Sequence, residues 1–119
     1  MAYVDGFVIA VPRDRLDDYT RMAELGRDIW MELGAVSYVE NVGDDVPYGE
    51  LTSFPRAVQA ADDEVVVFSW ITYKSRAHRD RVNAKVMKDP RITGMCDPKN
   101  SPFDVKRMAY GGFKVVVAA

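Results

Sequence analysis

Residues 65–83 read VVVFSWITYKSRAHRDRVN, and this stretch decides the fold. Val65–Tyr73 is β-branched or aromatic at nearly every position, the composition of a pleated, packed surface. Alternation sends Val66, Phe68, Trp70 and Thr72 to one side and Val65, Val67, Ser69, Ile71 and Tyr73 to the other. Neither side is polar, so both need cover. Ser75 then stands at an N-cap position, where its hydroxyl can accept from an orphan helix N–H. The residues from Arg76 to about Lys88 suit a helix, closed by Asp89-Pro90. His78, Val82 and Val86 recur at i, i+4 and i+8 as one stripe, with Arg79 and Asn83 on one shoulder and Lys85 on the other.

Toward the N-terminus, Tyr3–Val11 (YVDGFVIAV) predicts a strand that Pro12 ends. One of its faces is large: Tyr3, Asp5, Phe7, Ile9 and Val11. The other, Val4, Gly6, Val8 and Ala10, is small, which suits close helix packing. Apolar residues from Leu16 to Leu33 then recur at helical spacing, with Asp14, Asp17 and Asp18 near the positive end of the dipole and Gly34 at C′. Ala35–Val42 predicts a second strand. Gly43–Asp63 is a long connection in which residues 52–58 form a helical turn or an edge segment. Beyond the central helix, Thr93–Asp104 is a Pro-rich connection and Lys106–Val117 a last strand, with a bulge expected at Gly111-Gly112.

The order β-α-β-β-α-β over residues 1–119 predicts a single α+β domain of ferredoxin-like type. Its four-stranded antiparallel sheet carries both helices on one face. Two helices cover one side only. The bare side is expected to expose Tyr3, Phe7, Ile9, Tyr38 and alternate residues of Val65–Tyr73, a patch too apolar for a monomer. A second copy presenting the same face closes the assembly as a homodimeric α+β barrel.

Of the 119 residues, 48% are apolar and 29% charged, so the chain has the make-up of a folded globule. A net charge of −2 argues against a dedicated nucleic-acid binder. The lone cysteine, Cys96, excludes an intrachain disulfide and fits a reducing compartment, the cytoplasm. Asp5 interrupts Tyr3–Val11, and no basic leader precedes it, so that segment is no signal peptide or membrane span.

Candidate chemistry gathers around the central stretch. His78 is the only histidine, the side-chain type suited to a general base or to orienting a ligand; the alternative is a helix-face histidine satisfied near the sheet edge. Asp5, set among large apolar side chains, is the second catalytic candidate; otherwise it is a structural ion pair with Arg79 or Arg107. Phe7, Trp70, Tyr73, Arg79, Asn83 and Tyr110 complete a candidate wall for a flat organic ligand, against the reading that Trp70 and Tyr73 are simply core. Cys96 has no neighbouring group in sequence to lower its pKa. One histidine and one cysteine make no zinc, haem or iron–sulfur set, and Asp44-Asp45 reads as a solvated pair, so neither a metal nor another cofactor is expected.

The segments YVDGFV, GDDVPYGELTSFP, VVFSWITYKSRAHRDRVNAKVMKDPR and PFDVKRMAYGGF resemble the YbaA-like family of small proteins. That family is similar to the dimeric α+β barrel superfamily, which includes cofactor-free monooxygenases and haem-degrading enzymes. The run from Trp70 through Ser75, Ala77 and His78 resembles the strand-to-helix signature of the antibiotic-biosynthesis monooxygenases. The 43–63 segment departs from their shorter loops. The resemblance implies a barrel fold and a dimer, and the residues add a small organic ligand, with a cofactor-free oxygenase as the sharper version. The alternative is an RNA- or protein-interaction module built on the basic run Lys74–Arg91, although that run lacks interleaved aromatics for base stacking.

Overall fold

The computed structural model describes residues 2–95, 97 and 99–119. Its principal elements are β1 (Tyr3–Pro12), α1 (Leu16–Glu32), β2 (Ser37–Val42), a one-turn α2 (Phe54–Ala57), β3 (Glu64–Tyr73), α3 (Arg76–Lys88), α4 (Pro90–Met95) and β4 (Ala109–Lys114). The strands form one antiparallel sheet in the order β2-β3-β1-β4, the ferredoxin-like arrangement. β3 is central and ten residues long, and it runs directly into α3. The Ser75 hydroxyl accepts from His78 N–H at 3.1 Å, as its N-cap position predicts. Gly34, at φ +118°, turns the chain out of α1. Among the described residues no helix is long and apolar enough to cross a membrane.

The helices cover the opposite face from the one expected. α1 and α3 pack on the large side chains: Tyr3, Ile71 and Tyr73 join Ile29, Val82 and Val86 in one cluster, and Ile9, Val11 and Val67 join Tyr19 and Ala23 in another. The small set Val4, Gly6, Val8 and Ala10 lies on the other face. A helix stands about 10 Å from a sheet, and only long side chains fill that gap to native density. Tyr3 and Ile9 are therefore core, at 6% and 5% exposure, and Tyr38 packs against the same core. One corner of the far face is covered by the 43–63 segment, where Val58 packs against Ala10 and Val66, and Phe54 of α2 meets Phe68 edge to face.

Three further boundaries differ from the sequence reading. β4 pairs with β1 one-to-one from Tyr3↔Lys114 to Val8↔Ala109, so Gly111 and Gly112 form no bulge. The last strand is shorter than Lys106–Val117, because Val105–Arg107 is a turn capped by Asp104, and the ladder with β1 ends at Tyr3. Pro90 stops α3 and also opens α4, where its missing N–H is no loss; the Asp89 carboxylate accepts from Arg91 N–H at 2.9 Å.

Candidate functional site

Two transverse rows of side chains on the helix-facing side of the sheet make the floor of the site. In register, Glu40, Ser69, Phe7 and Tyr110 form one row, and Tyr38, Ile71, Asp5 and Gly112 the next. α1 contributes Tyr19, Met22 and Trp30 above them, and α3 contributes Arg79, Asn83 and Met87. Met95 of α4, Phe103 and Met108 close the end. Between these walls is a cavity of about 380 Å³. Its surface is mainly hydrocarbon, sulfur and aromatic ring, with polar groups at two places, the usual make-up of a small-molecule pocket.

The first polar group is built on Asp5. Its carboxylate faces Arg79 Nε at 3.4 Å and accepts from Asn83 Nδ2 at 3.5 Å. Asn83 Oδ1 in turn accepts from Trp30 Nε1 at 3.0 Å and from the Tyr73 hydroxyl at 3.3 Å. Arg79 Nη2 donates to the Tyr3 hydroxyl at 3.1 Å. Gly112 is required beneath that contact: a Cβ there would stand 2.5 Å from both Arg79 Nη2 and Tyr3 Oη. Arg79 Nε–H is buried and has no hydrogen-bond acceptor among the described residues. The 3.4 Å approach of Asp5 attracts it electrostatically without meeting it in a bonding direction.

The second polar group is centred on Glu40. The Tyr19 hydroxyl donates to Oε1 at 2.8 Å and also approaches Oε2 at 3.2 Å, while Tyr38 donates to Oε2 at 3.1 Å. Burial pushes the Glu40 carboxyl above the ordinary carboxylate range, against the pull of these donors. Burial and the nearby carboxylate push both phenols up, so they stay protonated donors.

Five of the sequence candidates, Asp5, Phe7, Arg79, Asn83 and Tyr110, line this cavity together. The Asp5 partner is Arg79; Arg107 pairs with Glu64 instead. Trp70 borders the cavity at the strand, but alternation turns its ring to the other face, where it meets Phe68 at 5.5 Å. Tyr73 stands behind the lining and reaches it through Asn83. His78 is outside the lining. Its Nδ1 accepts from Lys74 N–H at 3.0 Å, and its ring packs edge-on against Tyr73. Sequence reasoning missed Glu40, Tyr19, Tyr38 and Trp30. The available signal was the Tyr38-x-Glu40 alternation, which puts both side chains on one face of β2.

Elsewhere, Arg91 of the basic run is held by Asp89 and Glu32, both at 2.8 Å. Cys96 lies outside the described residues. Among the described residues no three His, Cys, Asp or Glu side chains converge to hold a metal ion.

Comparison with known proteins places this geometry in context. The chain is 48% identical over 117 residues to uncharacterized protein YbaA of Escherichia coli strain K12, covering 98% of each chain. The YbaA protein of Shigella flexneri matches to the same extent. Among solved structures, a mutant of SnoaB, a cofactor-independent oxygenase from Streptomyces nogalater, superimposes with a TM-score of 0.57 at 10% identity, covering 98% of this chain and 95% of that one. An uncharacterized NIPSNAP domain protein from Burkholderia xenovorans gives 0.56 at 13% identity, with the same coverage of both chains. At such identities the likeness is one of fold. Residues 2–105 match the family model described as protein of unknown function DUF1428, and the chain belongs to that family.

Proposed function

We propose that this protein is a homodimeric α+β barrel that binds a small, flat organic ligand between its sheet and helices and acts on it without a bound cofactor, in the manner of an oxygenase. The observation that carries this reading is the cavity of about 380 Å³, apolar over most of its wall and polar at Asp5–Arg79–Asn83 and at Glu40. Phe7 and Tyr110, with ring centroids 6.3 Å apart and planes 18° from parallel, offer a flat surface for a ring system. The Arg79 guanidinium on the cavity wall favours a ligand that carries a carbonyl or oxyanion oxygen. Asp5 holds the guanidinium, Asn83 holds Asp5, and Tyr73 steadies Asn83. His78 supports Tyr73 from behind. The fold likeness to a cofactor-independent oxygenase supports the reaction class.

The dimer rests on the far face of the sheet. Away from the Pro12–Glu64 end, its paired positions are Val4, Gly6, Val8 and Ala10 on β1, Val66, Phe68, Trp70 and Thr72 on β3, Ser37, Val39 and Asn41 on β2, and Ala109, Gly111 and Phe113 on β4, and none of these is charged. Phe113 is 60% exposed there and Phe68 41%. A second copy offers the same flat, uncharged surface and closes on a two-fold axis.

Ligand occupancy is tested by titrating aromatic compounds into the protein and following Trp30, which lines the cavity. Saturable quenching that Arg79→Leu weakens supports the reading. Absence of saturable binding across a set of one- to three-ring aromatics would overturn it.

A further inference from the structure

Two carboxylates, Asp5 and Glu40, line the cavity where a ligand's proton could be taken up. Asp5 is occupied by Arg79 and Asn83. Both of its neighbours are donor groups already facing it, so it serves to hold Arg79 in place. His78 has its Nδ1 engaged by Lys74 and lies outside the lining. Glu40 differs from both. It is on the cavity wall, no salt bridge reaches it among the described residues, and the side chains that hydrogen-bond to it, Tyr19, Tyr38 and Ser69, are all neutral hydroxyls. Its oxygens are met by hydroxyl groups alone, so no fixed positive charge competes with a ligand's proton for them.

We infer that Glu40 is the proton acceptor of this cavity: held in place by Tyr19 and Tyr38, its carboxylate takes the hydroxyl proton of a weakly acidic aromatic or enolic ligand. The inference rests on the ligand-binding reading of the cavity and deepens it. The ligand O–H bond breaks, the proton goes to a Glu40 oxygen, and the electron pair stays on the ligand as an oxyanion within the cavity that Arg79 also lines. Both sides of the transfer carry one negative charge, so no co-reactant is needed. The groups facing Glu40 are Tyr19 from α1, Tyr38 from its own strand and Ser69 from β3, with Arg27 further along α1 acting on Tyr38. Tyr19 and Tyr38 are positioning residues. They fix both oxygens while keeping their own protons. A base that must act near neutrality needs a pKa above that of a solvated carboxylate, and burial of Glu40 supplies that direction.

The probe pair is 2-naphthol and 2-methoxynaphthalene, which differ by one exchangeable proton and are both fluorescent. The wild-type protein is expected to bind the naphthol about tenfold more tightly, the scale of one charge-assisted hydrogen bond. Bound naphthol, a photoacid, is expected to emit as naphtholate because an acceptor lies beside it. Glu40→Gln should bring the two affinities within about threefold and abolish the naphtholate emission. In the wild type the preference should fade as pH drops through the Glu40 titration, a measurement that needs no variant. An undiminished preference in Glu40→Gln, or a pH-independent preference in the wild type, would overturn the assignment. Equal binding of both probes by the wild type defeats it while leaving the cavity reading intact. Failure of both probes to bind the folded protein defeats the two together.

Discussion

Arg107 grips Glu64 through two parallel hydrogen bonds, Nη1 to Oε1 and Nη2 to Oε2, each 2.7 Å long. The Glu64 side chain is 6% exposed and opens β3, while Arg107 closes the turn before β4. The same guanidinium donates to Gln59 O at 2.8 Å and to Asp104 at 3.2 Å, so one side chain fastens the 43–63 segment, the β3 start and the β4 approach. Arg107→Ala should cost about 2–3 kcal/mol, chiefly because Glu64 is left without its partner. Arg107→Lys keeps the charge and loses the fork, and should recover less than half of that. Urea unfolding monitored by fluorescence measures both.

Acid stability should depend on Asp89. Its hydrogen bonds from the Arg91 side chain and backbone hold its carboxyl at about 2, below the ordinary 3.8. A folded-state pKa below the unfolded one stabilises the fold above the unfolded value, and that contribution is lost as pH falls through the folded value. Asp89→Asn should therefore melt below the wild type at neutral pH. The gap should narrow from about pH 4 downward and close near pH 2. A gap that stays constant over that range in thermal melts would count against the assignment.

Gly112→Ala should cost about 1–3 kcal/mol, since the new methyl group forces Tyr3 and Arg79 aside. Movement of Arg79 also loosens its hold on Asp5, so ligand affinity should fall with stability. Gly94→Ala is the contrasting case. It lies within α4 with nothing within 4 Å of the added Cβ, and should stabilise by about 0.5–1 kcal/mol. Chemical denaturation of the pair separates steric displacement from helix propensity.

The proposed dimer predicts a solution mass twice that of one chain at micromolar concentration, by light scattering, and a melting temperature that rises with concentration. Phe113→Glu puts a charge into the uncharged face and should yield single chains that bind a hydrophobic dye. A wild-type protein of single-chain mass would refute the dimer.

The strand-to-helix passage was legible because its signals are local. Ser75 caps by its own hydroxyl, and the β-branched run of β3 tolerates little else. Which face of β1 met the helices was not legible from side-chain size alone. Small residues suit close helix packing, and they equally suit the flat surface on which this sheet leaves Gly6 opposite Gly111. The choice is made by tertiary packing, where Tyr3, Ile9 and Tyr73 together fill a gap that no single strand reveals. Asp5 and Arg79 were legible because a carboxylate in an apolar strand calls for a partner, with Arg107 the other choice, and Asn83 because it shares a helix shoulder with Arg79. Glu40 escaped notice because the Tyr19 hydroxyl that completes its setting comes from a helix 21 residues earlier in the chain.

The position of β3 between β1 and β2 also governs the order in which the sheet can assemble on the ribosome. Neither β1 nor β2 has a strand partner until Glu64–Tyr73 has been made, roughly 50 residues after β1 ends at Pro12. At translation rates of about 5–20 residues per second, β1 waits several seconds with both edges unpaired. Its large face has only α1 to shelter it during that time, and a nascent-chain chaperone has a window in which to bind. A weakened β3 would therefore show first as poor recovery of soluble chain from translation, before any change in the melting temperature of the molecules that do fold.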